Sequence, residues 1–430
     1  MKLFSYVIIF SMLLFLSCQQ DSSQSANLSK KNVDREMGSK IYLHKDGKKL
    51  FPIGFYELPE DNAKLLRYSQ AGINLFRCSG NADLDRVAAV DALGWVSIKL
   101  QKQDTLKVME KIKSVADHSA LAIWEGPDEI IHSFTRSSRL YRKTGIHKVA
   151  GAWNKQTSNA IEYSEKKGKE ILQAINTNIK QIRKLDNKNR PIWMNEATDC
   201  DLKFVREYTD AVDIIGVDNY PVKETKRDVT VIGDITKRWG IIGRNKKAVF
   251  MVLQAFSWNE LGVYYGAKTA VYPSFKESRF MAYDAIVNGA SGILYWGSQH
   301  SKNELFLTSI LSLTNELDKL QPFLVEVDQT VKIDLIEAEH FVDDKGVRVT
   351  VKRHGDDWII ILVNEDNRSH FGVEISGLES LNGTNMKLLY GTEEYSVKHG
   401  ELITRLMPLQ VKVFATSLKW QSTNLEGRDF

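Results

Sequence analysis

From residue 51 onward, short apolar runs alternate with longer stretches in which apolar residues recur every three or four positions. The short runs, bounded by Gly, Asn or Asp, read as strands buried on both faces, and the longer stretches read as amphipathic helices. Strands are predicted over 51–57, 73–77, 95–100, 120–124, 191–196, 213–218, 248–254 and 291–296. Helices are predicted between them over 61–72, 82–94, 104–118, 160–185, 202–211, 229–239 and 275–288, with a last one over 305–320. Eight strand–helix repeats predict a (β/α)8 TIM barrel. A doubly wound sheet is the competing topology. The count of eight, and polar residues at nearly every strand exit, favour the barrel.

Beyond Pro322 the period changes to two. Segments 331–337, 347–353, 357–364, 371–375, 387–390 and 411–415 alternate, with Gly, Asn and Asp between them. This predicts a small antiparallel β-sandwich. The expected division is a barrel over 41–326, a sandwich over 327–416 and a disordered polar tail over 417–430, in which Trp420 has no assigned role.

The first forty residues read differently. Lys2 precedes an apolar run over 3–16 and then Ser17-Cys18, the layout of a secretory signal. The run is short for a membrane-spanning helix. Cys18 directly after Leu16-Ser17 resembles a bacterial lipoprotein lipobox, although Phe15 stands where Leu is commonest. That resemblance implies cleavage and acylation at Cys18. A plain signal peptide with an incidental Cys is the alternative. Residues 19–40, rich in Ser, Gln, Asn and Lys, read as a flexible tether. The expected location is the bacterial cell envelope, with membrane contact through the lipid anchor only.

Composition narrows the chemistry. The 430 residues are 43% hydrophobic and 26% charged, with a formal net charge of +4. This is ordinary globular composition and gives no case for a nucleic-acid partner. After Cys18 only Cys78 and Cys200 remain, too few for a disulfide framework and without zinc-site spacing. No metal or cofactor is called for.

A barrel carries its site at the C-terminal ends of its strands. Those ends supply Glu57, Arg77, Lys99, Asp128 with Glu129, Glu196, Asp218 with Tyr220, Gln254 and Trp296. Trp124, Trp193 and Trp258 lie beside them in sequence. Aromatic faces near carboxylates suit pyranose rings, although any one of these aromatics could equally be core. The stretch Ala-Leu-Ala-Ile-Trp-Glu-Gly-Pro-Asp-Glu at 120–129 is a strand, a Gly-Pro break and two carboxylates. Burial at a barrel rim can raise a carboxyl pKa, as a general acid needs. A solvated acidic loop is the competing reading.

Trp-Glu-Gly-Pro-Asp128-Glu129 resembles the fourth-strand motif of the large retaining glycoside hydrolase clan with (β/α)8 barrels. There an Asn-Glu pair ends the fourth strand and the Glu is the acid/base. Asp128 stands here for the Asn, a form that resembles uncharacterised bacterial members of the superfamily. Val217-Asp-Asn-Tyr-Pro221, Leu253-Gln-Ala-Phe256 and Gly292-Ile-Leu-Tyr-Trp296 are similar to the later strand ends of those members, so the likeness covers 51–320. It implies a hydrolase for a polysaccharide or oligosaccharide, with Glu129 as general acid. The C-terminal domain resembles the accessory sandwiches that often follow such barrels.

One departure matters. The clan places a nucleophilic Glu at the end of the seventh strand, where this chain has Gln254. Glu196 or Asp218 could supply the second carboxylate, or Glu260 could reach in from the following loop. Glu125 is a further candidate. The rival reading is a non-catalytic glycan-binding lipoprotein on a degenerate barrel. Under the hydrolase reading the catalytic residues are Glu129, Asp218 and Glu196. Asp128, Glu57, Arg77, Trp124, Tyr220, Gln254, Trp258 and Trp296 line the substrate. Arg136, Arg139, Arg142 and Lys143 in the irregular stretch 130–155, with Lys99 and Arg77, suit either an acidic or sulfated glycan or an ordinary solvated face.

Overall fold

A hairpin of β1 (Leu43–Lys45) and β2 (Lys48–Leu50) leads into the repeating unit that the apolar periodicity predicts. The repeats are β3 (Ile53–Phe55) with α1 (Asn62–Gln70), β4 (Leu75–Cys78) with α2 (Asn81–Ala89), and β5 (Leu93–Ser97) with α3 (Thr105–Val115). Next, β6 (Leu121–Glu125) is followed by the short α4 (Ile130–Thr135) and the long α5 (Ser158–Leu185). Then come β7 (Ile192–Ala197) with α6 (Leu202–Thr209), β8 (Ile214–Asp218) with α7 (Val231–Ile242), and β9 (Ala248–Gln254) with α8 (Phe275–Val287). Finally, β10 (Gly292–Trp296) leads to α9 (Glu304–Lys319) and α10 (Gln321–Leu324). The structure is a computed structural model and describes residues 42–135, 153–262, 267–338 and 346–430.

Strand β10 pairs in parallel with both β9 and β3, Ile293 lying opposite Met251 on one side and Ile53 on the other. The sheet therefore closes into an eight-stranded barrel, and the doubly wound alternative falls away. The helix ends carry the chemistry their sequences suggest. Asp61 caps α1 by accepting from the Ala63 N–H at 2.9 Å, and Ser274 with Glu277 forms a capping box on α8. Several boundaries differ from expectation, and the stretch read as irregular from residue 130 opens with the short helix α4. Gly94, read as a helix end, lies inside β5, because a Cβ there would meet Leu84 at 2.6 Å and the Cys78 sulfur at 2.7 Å.

Period-two alternation sorts each strand into two faces. Leu75, Leu93, Trp95, Ile123, Trp193, Ile214, Phe250, Val252 and Leu294 fill the barrel interior. Ile53, Phe76, Val96, Trp124, Met194, Ile215, Met251 and Ile293 face the helices. Trp95, Trp193 and Tyr56 meet edge to face, with centroids 5.4–6.0 Å apart, and plug the barrel beneath its C-terminal mouth. Gly216 in β8 makes room for this plug, since a Cβ there would lie 2.7 Å from the Trp193 ring.

The C-terminal domain contains β11 (Lys332–Ala338), β12 (Val347–His354), β13 (Asp357–Asn364), β14 (Phe371–Ser376), β15 (Asn385–Leu388), β16 (Glu394–Ser396), β17 (Glu401–Leu406) and β18 (Val411–Ala415). They form an antiparallel sheet of order β11-β14-β17 and another of order β12-β13-β18-β15-β16. Val351, Ile360, Leu362 and Phe414 of the larger sheet meet Phe371, Val373, Leu402 and Leu406 of the smaller. The opposite face of the larger sheet, with Ile359, Ile361, Val363, Val413 and Ala415, joins the core around the barrel helices. Strand β13 is thus buried on both faces, which is why Trp-Ile-Ile-Ile-Leu-Val runs apolar without alternation.

The disordered tail expected over 417–430 is instead packed against the fold. The Trp420 ring meets Phe323 edge-on at 4.7 Å, and the Phe275 N–H donates to the Phe430 carbonyl at 2.9 Å. Arg428 pairs at 2.9 Å with Glu316, whose side chain is fully buried. A few isolated anchors without a period hold the segment, so periodicity could not reveal it. Cys78 and Cys200 are free, buried thiols. Cys18, the predicted signal and tether, and Arg136, Arg139, Arg142 and Lys143 lie outside the described residues. Among the described residues no helix is long and apolar enough to cross a membrane.

Candidate active site

The alternation that packs the interior also dictates which side chains form its uppermost layer. Two residues beyond Trp95, Ile123, Trp193 and Gly216 stand Ser97, Glu125, Asn195 and Asp218. Tyr56, Arg77 and Trp296 complete the layer. Above it lies a cavity of about 700 Å³ lined by Tyr56, Asp128, Glu129, His132, Asn195, Asp199, Asp218, Asn219, Tyr220, Lys223, Trp258 and Trp296, among others. It opens at the C-terminal ends of the strands, where the barrel fold puts its chemistry.

Asp128, Glu129 and Asp218 converge in this cavity. The Asn195 side-chain amide donates to Asp128 at 3.0 Å and to Asp218 at 2.8 Å, so one NH2 group spaces two aspartates. Asp218 also shares a hydrogen bond with the Glu129 carboxyl. Burial drives the Asp218 carboxyl well above the usual range, and the charges of Glu129 and Asp128 push the same way. Burial thus favours the protonated form of the Asp218 carboxyl. Burial raises Asp128 to about 6, against the opposing effects of its Asn195 bond and of Arg77.

Glu129 sits in the left-handed backbone region, with a φ of 46°. Such a conformation costs about 1–3 kcal/mol for a non-glycine residue and persists only where neighbours enforce it. Here the Glu129 N–H donates to the Asn195 carbonyl at 2.9 Å, and the Glu129 carbonyl accepts from Ser133 at 2.9 Å. The Gly126 N–H is fixed on the Trp193 carbonyl at 2.8 Å. Strand β7 thus holds the turn after β6 at three points: through the Trp193 and Asn195 carbonyls and through the Asn195 side chain.

The wall opposite is aromatic. Tyr220 stacks on Trp296 with centroids 5.4 Å apart and planes 27° from parallel, and the Phe256 edge meets both rings. The Trp258 indole N–H donates to the Tyr220 carbonyl at 3.3 Å. Trp258 is carried on a short 3-10 turn whose capping box joins Ser257 and Glu260.

Several predicted residues lie elsewhere. Trp124 faces the helices, where its indole N–H donates to Asp186 at 2.8 Å. Glu196 has the same outward parity. It is fully buried behind β7, where it accepts from the Ile131 N–H at 3.1 Å and from the Tyr208 hydroxyl. The Glu57 carboxylate is taken up by the Gly297 N–H at 2.7 Å and by the Ser298 N–H and hydroxyl. The Gln254 amide is fully buried. It accepts from the Val222 N–H at 3.0 Å and donates to the Val222 and Phe256 carbonyls, clamping the loop after β8. The Glu260 carboxylate is held by the Ser257 N–H, the Tyr272 hydroxyl and the Lys302 N–H. Arg77 lies just behind the cavity, 2.8 Å from Glu125 and with its guanidinium 5.4 Å from the Tyr56 ring centroid. Burial raises the Glu125 carboxyl to about 8, even against the attraction of Arg77.

Sequence reading missed Tyr56, Asn195, His132, Asp199, Asn219 and Lys223. Counting by twos from the end of β7 would have found Asn195. The others stand one to seven residues beyond strand ends, where the strand period no longer operates. Among the described residues no group of three His, Cys, Asp or Glu is arranged to hold a metal ion.

No family model and no curated protein matches the chain in sequence. Solved structures do match in shape. A catalytic mutant of a GH42 β-galactosidase from G. stearothermophilus superimposes with a TM-score of 0.52 at 10% identity, over 87% of this chain and 99% of that one. A β-galactosidase from Bacillus circulans sp. alkalophilus gives 0.53 at 8% identity, over 86% and 99%. A family 5 glycoside hydrolase from Bacteroides vulgatus gives 0.54 at 11% identity, over 88% and 92%. At such identities the likeness shows the fold: a (β/α)8 barrel with a C-terminal β domain, an architecture that these glycoside hydrolases share.

Proposed function

We propose that the protein is a glycoside hydrolase acting on a polysaccharide or oligosaccharide, with Glu129 and Asp218 as its catalytic pair. The observation that carries this reading is the convergence of Glu129, Asp128 and Asp218 around the Asn195 amide, in a cavity with an aromatic wall. Carboxyls close enough to share a hydrogen bond leave no room for the water that inversion places between groups about 6.5–9.5 Å apart. Such a close pair is nearer the roughly 5–5.5 Å spacing of retention. Asp218, buried at the floor, attacks the anomeric carbon as a carboxylate. Its resting proton passes along the shared hydrogen bond to Glu129, which delivers it to the departing glycosidic oxygen. Water then attacks the glycosyl ester, giving its proton to Glu129 and releasing Asp218. Asn195 steadies the Asp218 carboxylate throughout.

The Gln254 amide is engaged by the Val222 loop, so in this proposal the nucleophile comes from Asp218 and not from the end of β9; a non-catalytic glycan-binding barrel is the rival reading. The location we propose is the cell envelope, through lipid on Cys18. A Cys18→Ser variant that stays in the membrane fraction would remove that part of the proposal. Kinetics on two leaving groups test the chemistry. Glu129→Gln should lose about 10²–10⁴ in rate on a natural glycan but far less on an activated aryl glycoside, which needs little protonation to depart. Asp218→Asn should lose heavily on both. Equal losses for Glu129→Gln on the two substrates would exclude it as the donor.

A further inference from the structure

We propose that the glycan is anionic, with its carboxylate or sulfate groups carried in basic pockets beside the cleavage site. The inference rests on the glycosidase reading and names its substrate class. A second cavity of about 430 Å³ shares Thr198, Asn219, Tyr220 and Lys223 with the catalytic cavity, so the two are neighbours on one stretch of surface. The sign of the charge reverses along it. The catalytic end holds Asp128, Glu129, Asp199 and Asp218, with Lys223 as the sole Lys or Arg in its lining. The far end, between the β8 loop and α7, adds Lys226 and Arg238 to Lys223, against Asp228 and Asp234.

Charge pairing uses up little of this basic surface. Among the described residues neither Lys226 nor Arg238 has a carboxylate within ion-pair distance, while Asp228 accepts a hydrogen bond from the Thr230 hydroxyl at 2.8 Å. The Lys223 ammonium stands 4.6 Å from the centroid of the Trp258 ring, at the joint between the two cavities. There the cation lies over the aromatic ring, and both residues line the catalytic cavity.

The same sign recurs on the other flank. Three strands back round the barrel, a cavity of about 410 Å³ between the β5 exit and α3 is lined by Lys99, Lys102, Lys107 and Lys111, with Asp104 the sole acid in its lining. Asp104 is already paired with Lys107 at 2.9 Å. The loop that carries Lys99 and Lys102 is pinned from beneath, since the Asn178 amide donates to the Leu100 and Lys102 carbonyls. A chain crossing the mouth would thus meet basic, acidic and basic surface in turn. This arrangement accepts acidic groups on either side of the cleaved bond.

Affinity electrophoresis of the full chain, through gels containing paired polysaccharides, tests the inference. Polyuronates are paired with their methyl esters, and sulfated galactans with their desulfated forms, which separates carboxylate from sulfate recognition. At least one polyanion should retard the protein, its neutral partner should not, and added salt should abolish the effect. The double variant Lys226→Gln/Arg238→Gln should bind that polyanion about tenfold more weakly, and Lys226→Arg/Arg238→Lys should retain binding. No retardation by any polyanion, equal retardation by the neutral partners, or unchanged binding by the Gln variant would overturn it. Retention without cleavage of the retained glycan would leave this inference standing and defeat the hydrolase reading. Cleavage of a neutral glycan without retention by any polyanion would do the reverse.

Discussion

Glu125 shows how strand parity alone can place a titratable group. It stands two residues beyond Ile123, an interior residue of β6, so it enters the top layer of the interior with no solvent to share its charge. Its carboxyl rises from 4.5 to about 8 because burial outweighs Arg77 at 2.8 Å. The folded protein therefore binds a proton that the unfolded chain has already lost. The stability this contributes is full below about pH 4.5 and disappears as pH rises through about 8. One pKa unit is worth about 1.4 kcal/mol, so the effect is on the order of a few kcal/mol. Thermal unfolding should show the wild type losing stability between roughly pH 5 and pH 8.5, with Glu125→Gln flattening that slope. An unchanged slope would mean that Glu125 is ionised throughout. The same parity explains which residues could be read from sequence. Asp128, Glu129, Asp218, Tyr220 and Trp296 were legible because strand exits are recognisable. Trp124 and Glu196 were misplaced because adjacency in sequence says nothing about face, and one step along a strand turns a side chain from cavity to helix layer.

At the scale of elements, all eight strands and their helices were legible, since a strand buried on both faces and an amphipathic helix carry different periods. Short or polar strands escaped. Strand β16 has three residues, and β1 and β2 are hardly more apolar than a loop. Glu196 shows what an outward-facing polar residue does in such an architecture. Its carboxyl lies at the start of α4 and accepts from the Ile131 N–H, two residues beyond Glu129. It thereby anchors the turn that keeps Glu129 in its left-handed backbone, so Glu196 is a positioning residue. Glu196→Ala would leave that N–H buried without an acceptor, at a cost of about 1–3 kcal/mol, and would add a cavity behind β7. The variant should lose stability in denaturant unfolding and lose kcat on natural and activated substrates alike. Glu196→Gln keeps an acceptor oxygen and should stay close to wild type. If it falls as far as Glu129→Gln, Glu196 takes part in the chemistry directly.

At the scale of the whole molecule, the last fourteen residues tie the two β architectures to the active-site loops. Trp420 packs on Phe323 at the end of the barrel's helical layer, and the Tyr390 N–H donates to the Gln421 side chain at 3.0 Å. Arg428 lies 3.9 Å from the Tyr390 ring centroid and reaches Glu316, which Arg279 and Tyr283 also hold at 2.8 Å each. Phe430 meets Tyr272 and Phe306, and Tyr272 in turn donates to Glu260 on the turn that presents Trp258. Removing residues 417–430 would take one of two guanidinium partners from a fully buried carboxylate and remove three aromatic contacts. Breaking a buried pair costs about 3–5 kcal/mol, and Arg279 remains to absorb part of that. For a chain of this size the melting temperature should fall by roughly 5 °C. The truncated protein should also bind glycan more weakly, because Tyr272 loses a packing partner and the Trp258 turn loosens with it. Limited proteolysis provides the independent check. The intact protein should resist cleavage after residue 416, and early release of the tail with no change in melting temperature or glycan binding would show that these contacts do not hold the fold.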